Sequence, residues 1–158
     1  MPTSAVIENK QAHFRYHVLE TWEAGLVLTG QEVKAIRGGR CELKAAYVVV
    51  RVLPSQGRQP SFVADLINAY IPPYDKAGPL PDYDPRRPRR LLFKRRELTA
   101  LFGRAGTSGL TLVPLRVYTH ARRLKVLVGL ARGKSDIDKR ETIRRRELNR
   151  ELRRHVSK

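Results

Sequence analysis

Cysteine is nearly absent from this chain. Cys41 is the only one in 158 residues. No disulfide framework and no zinc-finger spacing is therefore available, and a reducing cytoplasm fits. Long apolar runs are missing too, which excludes a membrane-spanning helix. The opening MPTSAVIENK lacks the apolar stretch of a secretory signal, so the expected location is the cytoplasm. Acidic residues are scarce. Asp and Glu number 15 against 32 Lys and Arg, for a formal net charge of +17 and an isoelectric point near 10.9. Such an excess acts through long-range fields and speaks about partners more than about fold. Nucleic acid is the leading partner, with an anionic membrane surface second. No internal repeat is visible.

The residues of known catalytic arrangements are also missing. His13 and His17 stand four apart with only Glu20 nearby, so surface or RNA-facing histidines are the better reading than a metal pair. Cys41 carries no signature of a nucleophile and reads as inert packing. Asp82, Asp84, Asp136 and Asp138 lie among arginines and read as local charge partners. Gly133-Lys134-Ser135 has the end of a phosphate-binding loop, but Gly129 and Gly133 enclose three residues where that motif needs four. Nothing requires an enzyme, a metal or a cofactor.

What the chain does have is enough length for one domain with a core, and 41% apolar residues. The spacing predicts a loose N-terminal arm over residues 1–8. A strand follows over Tyr16–Leu28, bent or bulged at Gly25. TGQEVKAIRGG predicts a short helix: Thr29 and Glu32 have capping-box spacing, Val33 and Ile36 share a face, and Gly38 and Gly39 stop it. Ala46–Leu53 and Phe62–Ile71 read as strands, and PPYDKAGPLPDYDPRRP as a long loop. A second helix is expected from about Lys94, with Leu98, Leu101 and Phe102 inward and Gly103 as its stop. Leu110–Tyr118 and Arg123–Ala131 read as strands. In the second, Leu124, Val126, Val128 and Leu130 alternate strictly, so one face is buried. Pro114 marks an edge or a bulge in the first. Strands with two helices between them predict a small antiparallel barrel over residues 9–131.

Charge is concentrated in two places. DPRRPRRLLFKRR, residues 84–96, holds seven basic residues against one acid. The tail, residues 132–158, ends in DKRETIRRRELNRELRRHVSK, with nine against four. Ile137, Leu148, Leu152 and Val156 fall in one helical arc, with Ile143 outside it. That stripe is thin, and an isolated helix of this length is marginal in water. The tail is expected to be disordered alone and helical on a polyanionic partner.

Six stretches occur in order: NKQAHFRY, EAGLVLTGQEVKAIRGGR, DPRRPRRLL, GLTLVPLRVY, VLVGLARGK and DKRETIRRRE. Together they closely resemble the SmpB family, which binds transfer-messenger RNA (tmRNA), from about Asn9 to Glu147. The resemblance implies a mainly β fold with short helices, a closed antiparallel OB-like barrel. It also implies two partners, the tRNA-like domain of tmRNA and the small ribosomal subunit, in ribosome rescue by a monomer without catalysis. The family's tail enters the decoding centre and the empty mRNA channel, where it becomes helical.

By the same resemblance, Asn9, Lys10, Glu23 and Leu92 match RNA-gripping positions. Asn9 and Glu23 suit hydrogen bonds to base edges or 2′-hydroxyls. Taken by itself, Glu23 reads as a solvent-facing strand residue and Leu92 as a brace for its loop. Lys34, Arg37, Arg40, Arg89, Arg90, Lys125, Arg132 and Lys134 are candidates for phosphate contacts. Phe14 stands where the family usually has His; its ring still suits stacking on a base. Glu42 replaces the usual Asn, and Ser135 replaces a second lysine after Gly133. Asp138-Lys139-Arg140 matches the family's tail motif, with Arg144 and Arg145 beyond it. Ile137 replaces the His or Tyr that often precedes that motif. A generic nucleic-acid-binding barrel stays open beside this reading, and an RNA-processing enzyme using Asp82 and Asp84 stands further off.

Overall fold

The computed structural model describes residues 6–54, 57, 59–78, 80–107 and 109–156. Its elements are β1 (Ile7–Glu8), α1 (Lys10–Arg15), β2 (Tyr16–Leu26), α2 (Gly30–Arg37), β3 (Tyr47–Leu53), β4 (Ser61–Ile67), β5 (Arg89–Leu92), α3 (Arg95–Ala105), β6 (Leu110–His120), β7 (Arg123–Gly133) and α4 (Asp136–Val156). The mainly β class with short helices holds.

Strands β2 to β7 form a ring of antiparallel neighbours in the order β6-β3-β4-β5-β2-β7, and β7 returns to pair with β6. Closure leaves few unpaired edges. The seam between β3 and β6 is the narrowest, paired at Val48↔Leu112. β1 pairs with Val117 and Arg116 of β6, so Ile7 and Glu8 belong to the sheet rather than to a loose arm. Residues 1–5 of that expected arm lie outside the described residues.

Alternation explains which side chains fill the ring. Leu124, Val126, Val128 and Leu130 all point inward and are buried, as their spacing predicts. They meet Ala24, Ile36, Val48, Ala64, Leu66, Leu91, Leu101, Leu112 and Val117 in one core. The capping box at Thr29 and Glu32 is present, and it aims α2 so that Ile36 enters this core.

Two bulges let the strands β2, β6 and β7 serve a second core on the outside. The first lies between Val18 and Glu20, not at Gly25. One extra residue there sends Tyr16 and Val18 outward, while Trp22 and Ala24 stay on the inner side. The second lies between Pro114 and Arg116, as Pro114 predicts. Helix α1 covers this outer patch, where Ala12, Val113, Leu115 and Ala131 are buried together. Gly129 allows close packing beneath it: a Cβ would come within 3.0 Å of Leu115 and 3.2 Å of Val18, so those side chains would have to give way.

Several expected boundaries move. β4 ends at Ile67, and Asn68 adopts a left-handed φ of 62°. α3 runs through Gly103 to Ala105 and ends at Gly106. Within α3 Leu101 is fully buried, but Phe102 is 40% exposed and stacks on Phe62 with ring centroids 4.7 Å apart. RRLL, which lies between the expected loop and the second expected helix and belongs to neither, is strand β5. β7 extends to Gly133, two residues past the expected end of the body.

α4 is a continuous helix of 21 residues. Its start is local. The Asp138 backbone N–H donates to Ser135 Oγ at 3.3 Å, and the Ser135 backbone N–H donates to Asp138 Oδ2 at 3.2 Å. This reciprocal pair is a capping box with Asp in the acidic position. Ser135 Oγ also donates to Asp138 Oδ2 at 2.7 Å. These hydrogen bonds, then the His17 imidazole 3.5 Å away, hold the Asp138 carboxyl below its ordinary range. Ile137, Leu148, Leu152 and Val156 are each more than half exposed.

Candidate nucleic-acid interface

The expected site residues fall into three groups. The first is an open patch on the outer face of the ring. Gly25 of β2 pairs with Leu92 of β5 on one side and Lys125 of β7 on the other. Glu23 lies two residues earlier on the same face, opposite Leu127. Leu92 is 58% exposed, and its Cβ sits 3.3 Å from where a Gly25 Cβ would be. The glycine thus lets Leu92 lie flat against the strand, as a displayed apolar surface rather than a core residue. Strand pairing therefore brings together Glu23, Leu92 and Lys125 from three distant parts of the chain.

Glu23 is also tied to residues the sequence reading passed over. The Tyr118 hydroxyl donates to Glu23 Oε2. His120 Nδ1 lies 3.7 Å from the same oxygen. The Arg116 guanidinium sits over the Tyr118 ring, 5.2 Å from its centroid. The Tyr118 hydrogen bond, aided by His120 and Lys125, lowers the Glu23 pKa despite some desolvation. Burial and the adjacent carboxylate push the Tyr118 phenol up to about 12. Near neutral pH the phenol is therefore a donor and Glu23 an ionised acceptor. A signal for this group existed: Arg116, Tyr118 and His120 alternate on β6, opposite the inward Val117.

The second group is tied into the body: Asn9 and Arg89 are buried, and Arg90 is exposed but paired. Asn9 is buried; its amide donates to the Leu43 carbonyl at 3.1 Å and the Pro114 carbonyl at 2.9 Å, and its Oδ1 accepts from the Ala12 N–H. That side chain joins α1, β6 and the segment after α2, so a direct RNA contact from Asn9 is corrected to an internal clasp. Arg89 is 0% exposed. Its Nε donates to Glu32 Oε2 at 2.6 Å, and its other nitrogens reach the carbonyls of Ala69 at 2.7 Å and Pro85 at 3.0 Å. A phosphate has no access to it, and Arg89 leaves the set of phosphate contacts. Glu32, the capping acid of α2, holds Arg89 and Arg87 together. Burial raises its pKa, but hydrogen bonds from the Thr29 N–H, Arg87 and Arg89 outweigh that, and the net direction is down. Arg90 pairs with Asp65 at 2.8 Å, which also takes Arg51.

The third group lies on α1, α2 and the exit of β7. Lys34 reaches over the Tyr74 ring at 5.5 Å, Arg37 donates to the Arg122 carbonyl at 3.3 Å, and Arg40 pairs with Asp75. Lys10 is exposed beside Glu8, Glu42 and Lys44 on a shallow cleft. Arg132 is exposed near the end of β7. Lys134 is half-buried, and its Nζ donates to the His13 carbonyl at 3.0 Å and Thr142 Oγ1 at 2.8 Å. It fastens α4 to α1. Arg146 lies over the Phe14 ring at 5.9 Å. Lys139, Arg140, Arg144 and Arg145 follow along the helix, and Arg140, Arg144 and Arg145 are exposed. Cys41 packs against the core, and burial pushes its thiol up to about 12, so it is unreactive. Among the described residues no three His, Cys, Asp or Glu side chains gather as a metal site. Among them, too, no helix is long and apolar enough to cross a membrane.

A closed β ring with a carboxylate set among cations, and a basic helix standing off it, defines a class: small β proteins that recognise a folded polyanion. The family model described as SmpB protein matches residues 6–158. An SsrA-binding protein from Gloeothece citriformis is 44% identical over 99% of this chain and 95% of its own length. One from Streptococcus agalactiae serotype III is 44% identical over 97% and 92%. A solved chain described as "tmRNA-SmpB: a journey to the center of the bacterial ribosome" is 41% identical. It has a TM-score of 0.63 and covers 89% of this chain and 96% of that one. This chain belongs to the SmpB family.

Proposed function

We infer that this protein binds the tRNA-like domain of tmRNA and delivers it to stalled ribosomes, as an adaptor without catalysis of its own. The observation that carries this reading is the ionised Glu23 beside exposed Leu92 and Lys125. A binder driven by charge alone gains nothing from a carboxylate at its contact face. A carboxylate accepts from ribose hydroxyls and base N–H groups, and an exposed leucine packs on a base; both read shape. The body, residues 9–131, forms a closed OB-like barrel that does this recognition as a monomer in the cytoplasm. Lys10, Phe14, Lys34, Arg37, Arg40, Arg90 and Arg132 add phosphate and stacking contacts.

The tail, residues 132–158, acts on the ribosome. Asp138-Lys139-Arg140, Arg144 and Arg145 engage the decoding centre and the empty mRNA channel, with Ile137 making an aliphatic contact. Off the ribosome α4 is marginal, since its apolar stripe is uncovered. Ordering such a segment typically costs about 2–5 kcal/mol, which phosphate contacts must offset. Binding is therefore strongly salt-dependent.

The test is a titration of the tRNA-like domain against ordinary tRNA and an equal-length duplex, using the full chain, Glu23→Ala and a chain ending at Gly133. The reading expects the tRNA-like domain to win, Glu23→Ala to lose that preference and the shortened chain to keep it. Equal binding of all three RNAs, weakened only by shortening, leaves a generic polyanion binder.

A further inference from the structure

The face around Glu23 contains a hydrogen-bonded assembly that the reading above does not use. Tyr118 stands on β6, Glu23 on β2, and β7 runs between them, so the tyrosine must reach across a whole strand to meet the carboxylate. The bulge after Pro114 makes this possible. It lets Leu115 turn outward under α1 while Arg116, opposite Leu127, also faces out, which puts Tyr118 on the outer face next to Lys125. The Tyr118 and His120 contacts both fall on Oε2. Glu23 Oε1 has no partner within the described residues.

We propose that Tyr118 is a positioning residue for RNA recognition: its hydroxyl holds one oxygen of Glu23 so that the other accepts from a ribose hydroxyl or base N–H, and its ring seats Arg116 beside that acceptor for a phosphate. This rests on Glu23 being an RNA contact. The physical argument is preorganisation. A glutamate on an exposed strand has three rotatable bonds and would otherwise sample several orientations, including toward Lys125. Fixing it before RNA arrives removes that ordering cost from binding. A neutral phenol does so without supplying a competing cation, which would neutralise the carboxylate and mask it. The phenol is a donor across the physiological range, as even an ordinary tyrosine titrates only near about 10.

The experiment uses the full chain with Tyr118→Phe, which keeps the ring under Arg116 and removes only the hydroxyl. The ratio of affinities for the tRNA-like domain and ordinary tRNA is expected to fall up to about fivefold, the upper end for an interaction of exposed charged groups. The slope of log affinity against log salt stays the same, because no cation is lost. The Glu23 side-chain carboxyl, followed by carbon-13 NMR against pH, titrates at a higher pH than in the parent. A tyrosine that only braced the strands would still move that titration, because its hydrogen bond to Glu23 is lost, but would leave the RNA ratio unchanged. In the Glu23→Ala background, Tyr118→Phe is expected to add nothing further. If Tyr118→Phe keeps the full ratio while Glu23→Ala loses it, positioning by Tyr118 is wrong and the reading of Glu23 stands. An equal loss from Tyr118→Phe with and without Glu23 also overturns it. If Glu23→Ala itself keeps the ratio, the reading of this face fails and the positioning role fails with it.

Discussion

Two arginine-rich runs look alike by composition and end in opposite places. Residues 84–96 and residues 131–158 each carry a net charge of +6. Part of the first is drawn into the body: Arg89 is buried and Arg87 half-buried, while Arg86, Arg90, Lys94, Arg95 and Arg96 stay exposed. Arg87 and Arg89 close on Glu32, Arg90 on Asp65, and Arg86 lies over the Tyr70 ring at 5.0 Å. Arg87 and Arg89 are internal ties that pin β5 and its preceding loop to the ring, and the exposed Arg86 and Arg90 brace them from outside. The second stands out as α4, with Arg140, Arg144, Arg145 and Arg150 exposed. Only the first run meets buried carboxylates, which are what make burial of a guanidinium tolerable. Positive charge in this chain therefore has two uses, and density along the sequence does not distinguish them.

The sharpest way to break that comparison is to remove the acid. Glu32→Ala strands Arg89 without its partner and removes the reciprocal half of the α2 capping box. Chemical unfolding should show a loss of about 3–5 kcal/mol. Arg144→Ala on the exposed run should stay within about 0.5 kcal/mol of the parent. Similar losses from both would mean that the tail is part of the folded core.

Acid should separate the runs next. Glu32 and Asp65 are both held below the ordinary carboxylate range; burial raises each, but their arginine partners, with the Thr29 N–H on Glu32, outweigh it. A depressed folded pKa contributes stability above the unfolded value, about 4, and that stability is lost as pH falls through the lowered value. Melting followed from about pH 7 to about pH 3 should therefore fall in the parent. It should fall less steeply in Glu32→Gln, which starts lower and has no such carboxylate to protonate.

A smaller effect is expected at the start of α4. Ser135→Ala removes a capping side chain worth about 1 kcal/mol of helix stability. Amide chemical shifts over residues 136–146 should lose helical character, while melting of the body is nearly unchanged. The smallest shift belongs to Lys134→Met, which keeps the stem and drops the ties to His13 and Thr142. Amide exchange should quicken in the first turns of α4 and stay as it was in β7.

Much of the ring could be read directly. The strict alternation on β7, the capping box at Thr29 and the bulge at Pro114 are local patterns, and each holds. What could not be read depends on remote partners. RRLL does not read as a strand because Arg89 is an inward strand residue only if Glu32, far earlier in the chain, waits to receive it. α1 was missed because KQAHFR is short and has no apolar period; its cap, Asn9, draws its purpose from carbonyls of Leu43 and Pro114. The Ser135–Asp138 box was visible as a pattern but sat inside a run that charge alone made look unstructured. Of the interface, the resemblance pointed to Glu23, Leu92 and Lys125, but not to Tyr118.

The sequence by itself determined the sign of the partner, the buried face of β7 and the start of α2, which follow from net charge, from side-chain period and from bonds between residues three or four apart; the family follows from the ordered motifs it shares with SmpB proteins. Only the tertiary structure decided which arginines are inside, why Asn9 is a clasp, and that Tyr118 meets Glu23 across β7. Hydrogen bonds and burial of charge are settled by whichever groups close the ring brings within about 3 Å of one another, and that neighbourhood is written in strand pairing, not in chain order.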